Sequence, residues 1–204
     1  KINYLINLGA DYLLKDIFQS GINKNPDFVK RLLLLLAHQV GSIVSVNELA
    51  MTLQTSRQTI EKYLDLLEQT FVIFRLNAFS SNPRKEITKS KKVYFWDTGV
   101  RNALIKEFNL SDFRSDIGQL WENWVISEFA KQNLLTGNLA DLYFWRNRNG
   151  AEVDLVIKKD QSLKAMEIKW SSRKTSGSGA FTHAYRIKPV IITKNNFYQA
   201  ILHQ

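Results

Sequence analysis

The chain has 204 residues, 45% of them hydrophobic and 12% aromatic, which is enough apolar material for a buried core and too much for a disordered tail. It contains no cysteine, so disulfide frameworks and thiolate metal sites are excluded, and its longest apolar run, Leu32 to Ala37, is far too short to span a bilayer. The formal net charge is +9, a balance that favours an anionic partner.

The chain opens on Lys1 rather than Met, so it is expected to be cut from something longer. No charged-apolar-small leader is present, so secretion is not expected; a cytoplasmic location without a membrane partner is. From Pro26 to Val40, Phe28, Leu32, Leu35 and Leu36 recur at helical spacing. Ser45 followed by Glu48 predicts a capped helix start, and the helix runs through Leu53. Ser56 predicts a second N-cap, with Ile60, Leu64 and Leu67 as the apolar stripe behind it. A short "QTS" turn separates the two helices, and Ala50 is small enough to let them cross closely. Helix, tight turn, helix is the helix-turn-helix layout.

"FVIFRLNAF" and "KKVYFW" are aromatic and β-branched runs, hence strands, and would form a two-stranded wing. Residues 1–80 carry 8 basic and 7 acidic side chains, residues 81–106 carry 7 and 2, and residues 107–204 carry 13 and 10. More than half of the positive excess therefore lies around the loop of the wing. In a winged helix, Arg57, Gln58 and Lys62 would face base edges from the second helix, and Arg84, Lys85, Lys89, Lys91 and Lys92 would contact phosphates. Glu61 on the same helix weighs against strong sequence-specific binding. A winged helix used for packing or protein contacts is the alternative.

In the second half, "SDIGQLWENWVISEFAKQNLL" reads as a helix apolar on most sides, which predicts burial. Glu122 shares a face with Val125, Ile126 and Phe129; Glu128 is a weaker rival on another face. "LYFWRNR" predicts a strand and Asn149–Gly150 a turn. Trp145, Arg146 and Arg148 could stack on or neutralise nucleic acid, although sheet packing is the commoner use of such residues. Two further strands, Val153–Ile157 and Ala165–Lys169, would fold about Asp160–Gln161. That register sets Asp154 across from Glu167 and Glu152 across from Lys169, all on one face, with Val153, Leu155, Ile157, Met166 and Ile168 on the other. Two carboxylates directly opposite repel, and a bound divalent cation would remove the penalty. Magnesium takes one or two carboxylates plus waters, and Lys169 would orient a water or stabilise developing phosphorane charge. A Glu152–Lys169 salt bridge on a solvated face is the other reading of the same hairpin. The histidines His38, His183 and His203 are scattered and make no metal spacing.

An acid on a helix, then Asp, then Glu-x-Lys on the next strand resembles the PD-(D/E)XK nuclease superfamily, matched here by Glu122, Asp154, Glu167 and Lys169. The wider text resembles the C-terminal region of bacterial and archaeal AAA-type ATPases in which a domain of unknown function follows the ATPase core. The anchors are "DYLLKDI", "NELAMTLQTSRQTIEKYLDLLEQTFVIF", "KVYFWDTGVRNAL", "LWENWVISEF", "YFWRNRNGAEVDLVI" and "MEIKWSS". The resemblance implies an α+β or α/β chain: a helical segment over 1–25 linking to the ATPase core, a winged helix-turn-helix over 26–106, then a restriction-endonuclease-like domain over 107–204. It further implies Mg2+ at Asp154 and Glu167, nucleic acid (DNA favoured) as a partner, an ATPase module in the same parent chain, and scope for oligomerisation. No G-x-x-x-x-G-K-[ST] stretch occurs, so ATP is expected only in the part of the parent that precedes this sequence. The alternative is a non-catalytic DNA- or protein-binding module that regulates or assembles the parent ATPase.

Overall fold

The computed structural model describes residues 25–80, 90–109, 114–137, 140–171 and 178–202. Among these the architecture is α+β, with seven helices and seven strands paired in both parallel and antiparallel fashion. Two units divide the chain. Described residues 25–75 and 92–114 form the first; 76–91 and 115–202 form the second. The division differs from the contiguous blocks 26–106 and 107–204, because the chain leaves the first unit after Arg75 and returns to it at Lys92.

The first unit opens with α1 (Pro26–His38), started by Asn25, whose side chain accepts from the amides of Asp27 at 3.1 Å and Phe28 at 3.3 Å. Its buried stripe is Val29, Leu32, Leu33, Leu36 and Ala37, and Phe28 lies 4.8 Å from the Tyr63 ring. A short strand, β1 (Ile43–Val44), precedes α2 (Val46–Thr52) and α3 (Arg57–Gln69). Ser45 caps α2 through the Glu48 amide and Ser56 caps α3 through the Thr59 amide, as the spacing predicts. The turn between them closes with the Thr55 amide donating to the Ala50 carbonyl at 2.9 Å, and Gln54 takes a left-handed φ of 52°. Strands β2 (Ile73–Ala78) and β3 (Lys91–Phe95) follow, and β3 lies between β1 and β2. Phe74 packs its ring on Tyr94 and Trp96. Helix α4 (Thr98–Ile105), capped by Asp97, brings the buried Arg101 to the end of α1, where its Nε donates to the Ala37 carbonyl at 2.9 Å. A cation at a helix C-terminus satisfies a carbonyl that has no partner within the helix.

In the second unit, α5 (Ile117–Leu135) precedes β4 (Asp141–Arg146), β5 (Glu152–Lys159) and β6 (Ser162–Ile168). Helix α6 (Ser178–Tyr185), strand β7 (Val190–Ile192) and helix α7 (Phe197–Leu202) complete it. The end of β2 pairs in parallel with β4, then β4, β5 and β6 are antiparallel, and β7 joins β6 in parallel. The β5–β6 ladder runs Leu155↔Met166 through Lys159↔Ser162 around a two-residue turn at Asp160–Gln161, which is the register read from the sequence. Asp160 sits at φ 52°, a conformation that Asp tolerates better than most residues.

Simple alternation along β5 does not hold, however. A bulge opposite β4 pairs Tyr143 with Val156 but Trp145 with Val153, three residues away instead of two. Val153 and Val156 therefore join one core cluster with Phe79, Trp145, Ala165 and Phe181. Burial of α5 is also narrower than an all-round apolar helix predicts. Asn123, Val125, Ile126, Phe129 and Ala130 are buried, while Leu134 and Leu135 at its end are 62% and 87% exposed.

Candidate functional site

Asp154 and Lys169 come together at one end of the β5–β6 hairpin, and Glu167 lies on β6 at the same end. Asp154 is 7% exposed and Glu167 1% exposed, on neighbouring strands one register step beyond Leu155↔Met166. Burying a carboxylate is costly unless it is hydrogen-bonded or paired. Asp154 has both forms of compensation: its Oδ2 accepts from the Ile168 amide at 2.7 Å and lies 3.4 Å from Lys169 Nζ. The carboxylate thus takes the place of a ladder carbonyl where the two strands part. At 3.4 Å the lysine contact is longer than the roughly 2.7–2.9 Å of a tight charge-assisted bond, so the ammonium is held near the acid without being locked to it.

Lys169 is in turn fixed at its backbone, where its amide donates to the Ile192 carbonyl at 2.9 Å. Lys169 and Glu152 do not form the ion pair that the solvated-face reading requires. Glu152 Oε2 lies 3.6 Å from Arg146 Nη1 instead, and Lys169 turns to Asp154. Trp170, the next residue, meets Trp121 of α5 edge-on at 5.6 Å and carries Lys194 Nζ 5.1 Å from its ring centre. Sequence reading missed this aromatic contact; the Glu-x-Lys-Trp run was its only local signal.

The donor set suits a hard divalent cation. Both contacts to Asp154 converge on Oδ2, which leaves Oδ1 for a cation, and the buried Glu167 would be the second carboxylate. Two carboxylates completed by water are a normal magnesium ligand set. Glu122 on α5 is half-buried, one residue past Trp121. Among the described residues no three His, Cys, Asp or Glu side chains gather closely enough to share one ion, so Glu122 does not complete a directly ligating triad. Glu128, the rival acid, pairs with Lys131 at 2.7 Å.

Of the expected nucleic-acid contacts, Arg57, Gln58 and Lys62 are exposed on α3. Arg84, Lys85 and Lys89 lie outside the described residues. Lys91 is half-buried at the start of β3, and Lys92 is only 2% exposed, on a strand whose residues from Lys92 to Phe95 are buried on both faces. Trp145 is likewise buried against Phe181 and Tyr185, which assigns it to sheet packing.

Sequence reading also missed Arg75. Its side chain is 10% exposed and reaches Glu61 at 3.4 Å, Asp65 at 2.6 Å and Glu68 through Nε at 2.8 Å, with a further contact to Glu68 through Nη2. Burial works against the Arg75 charge, but the bonds to Glu68 and Asp65 outweigh it and raise its pKa. A raised cationic pKa means that this stabilisation is fully present below the ordinary arginine value and is lost only as pH rises through the raised one. The signal was available: one arginine in an apolar strand run, after acids at positions i, i+4 and i+7 of the preceding helix.

No helix among the described residues is long and apolar enough to cross a membrane. No solved structure matches the chain. Uncharacterised proteins of Mycobacterium tuberculosis and Mycobacterium bovis are each 31% identical over 163 residues, which is 79% of this chain and 36% of theirs. An uncharacterised protein of Haemophilus influenzae is 31% identical over 98 residues, 46% of this chain and 24% of its own length. The chain therefore spans between about a quarter and little more than a third of the length of these curated relatives. Residues 117–200 match a second domain of unknown function, DUF4143, which is typically found after AAA-type ATPase domains. Residues 1–111, more than half of the sequence, match the domain of unknown function DUF8612, and the chain belongs to that family.

Proposed function

We propose that this chain is the nucleic-acid-engaging end of an AAA-type ATPase, a winged helix followed by a PD-(D/E)XK-like unit that hydrolyses phosphodiesters with magnesium. The observation that carries the proposal is the convergence of Lys169 on the buried Asp154, at 3.4 Å, beside the buried Glu167. Two buried acids and a lysine are a costly arrangement for a hairpin to keep for stability alone. Asp154 and Glu167 would hold the cation, which when bound would supply Lewis-acid charge at the phosphate. Lys169 would orient the attacking water, and Glu122 would act through water. The position of the second matched domain after ATPase modules in its family supports the placement in a longer parent.

The test is magnesium- or manganese-dependent cleavage of single- and double-stranded DNA and RNA by the wild-type chain, beside Lys169→Ala. Metal-dependent cleavage by the wild type that falls by about two orders of magnitude or more in the variant is the expected outcome. Wild type and variant that are equally inactive, with no metal binding by calorimetry, would sink the nuclease reading. The second reading is a non-catalytic DNA- or protein-binding module regulating the ATPase. It is favoured by one observation, that Glu122 does not close a three-acid cluster among the described residues.

A further inference from the structure

Glu61, Asp65 and Glu68 follow one another at spacings of four and three along α3, so they form one stripe. The stripe does not lie behind the helix. Glu61 is four residues past Arg57 and three past Gln58, which makes it their neighbour on the next turn of the same exposed side. Its side chain is 47% exposed, and that of Asp65 is 57% exposed. A polyanion that approaches Arg57, Gln58 and Lys62 would meet these carboxylates at the same time. Counting Arg57 and Lys62 against Glu61, Asp65 and Glu68 leaves this side of the helix at −1; Arg75 brings it to zero.

Arg75 is suited to that task by position and shape. It projects from β2 and touches all three acids, while its own amide donates to Glu68 Oε1 at 2.8 Å. A guanidinium has five donors in a planar fork and can serve three carboxylates at once, which a single ammonium does less well. We infer that Arg75 is a positioning residue that gathers Glu61, Asp65 and Glu68 against β2, so that α3 can present Arg57, Gln58 and Lys62 to a nucleic-acid backbone. The inference rests on the nucleic-acid reading above and adds the feature that makes an acidic helix compatible with it.

The experiment is fluorescence anisotropy of the 204-residue chain on a mixed-sequence DNA duplex across a salt series, with thermal denaturation of every variant. Arg75→Met is expected to weaken binding about tenfold at low salt, about 1.4 kcal/mol, and to flatten the salt slope. Adding Glu61→Gln to Arg75→Met should restore most of the affinity without restoring the melting temperature. A purely structural arginine would show no such split. Should Arg75→Met fail to fold, Arg75→Lys keeps a charge at the site, and its smaller loss should be recovered by the same Glu61→Gln change. Binding by the wild type with no recovery in either background overturns the role of Arg75 alone. Absence of salt-dependent binding by the wild type overturns the nucleic-acid reading and this inference with it.

Discussion

Asp154 combines a structural bond with a chemical charge, and two substitutions separate them. Its Oδ2 accepts from the buried Ile168 amide at 2.7 Å, a bond that an amide oxygen can also make. Asp154→Asn should therefore change stability by less than about 1 kcal/mol, since the Ile168 amide keeps an acceptor. Asp154→Ala orphans that amide in a buried place and should cost about 2–3 kcal/mol. If the proposed nuclease function holds, both should abolish metal-dependent cleavage, because neither keeps the carboxylate. Urea midpoints for the two variants check the first point, and equal destabilisation would show that the charge itself holds the fold. At this scale the hairpin register that sets Asp154 and Glu167 on neighbouring strands was legible, because a two-residue turn fixes it. The Ile168 amide and the burial of Lys92 were not, since the first depends on where the ladder opens and the second on β3 being covered on both faces.

The elements were legible wherever a local device starts or stops them. Ser45 and Ser56 both cap their helices, and the β5–β6 register follows from its turn. Ser56 matters most, because the end of α3 that it caps carries the exposed Arg57 and Gln58. Its Oγ accepts from the Thr59 amide at 3.1 Å and lies 2.9 Å from the Thr59 hydroxyl. Ser56→Ala should lower stability by about 1 kcal/mol, and Ser56→Asp should recover most of it, since Asp caps as well and carries a charge suited to a helix N-terminus. Thermal melts followed by circular dichroism measure both. A neutral Ser56→Ala would mean that packing alone fixes the start of α3. The bulge in β5 had no such local signal: it arises from pairing with β4, and nothing within "AEVDLVI" marks it.

At the scale of the molecule, the units interleave in a way that no composition shift announces. Leu76–Ala78, the latter half of a strand that begins in the first unit, pairs within the second, where Asn77 lies opposite Tyr143 and Ala78 opposite Phe144. Phe79 continues the contact, its amide donating to the Phe144 carbonyl at 2.6 Å and its ring packing on Tyr143 and Tyr185. Parallel pairing joins residues far apart in the chain, so reading along the sequence places a boundary near residue 107 and misses the strand that crosses it. The consequence is testable. A chain beginning at Ser115 keeps Asp154, Glu167 and Lys169 yet lacks the neighbour of β4, which leaves a row of edge amides and carbonyls and uncovers part of the cluster around Trp145 and Phe181. Such a chain should unfold at lower urea than the same unit within the whole chain and should self-associate on size-exclusion chromatography. An isolated residue 115–204 chain that stays monomeric with an undiminished urea midpoint would show that Leu76–Phe79 is dispensable, and that the site stands on β4, β5, β6 and β7 alone.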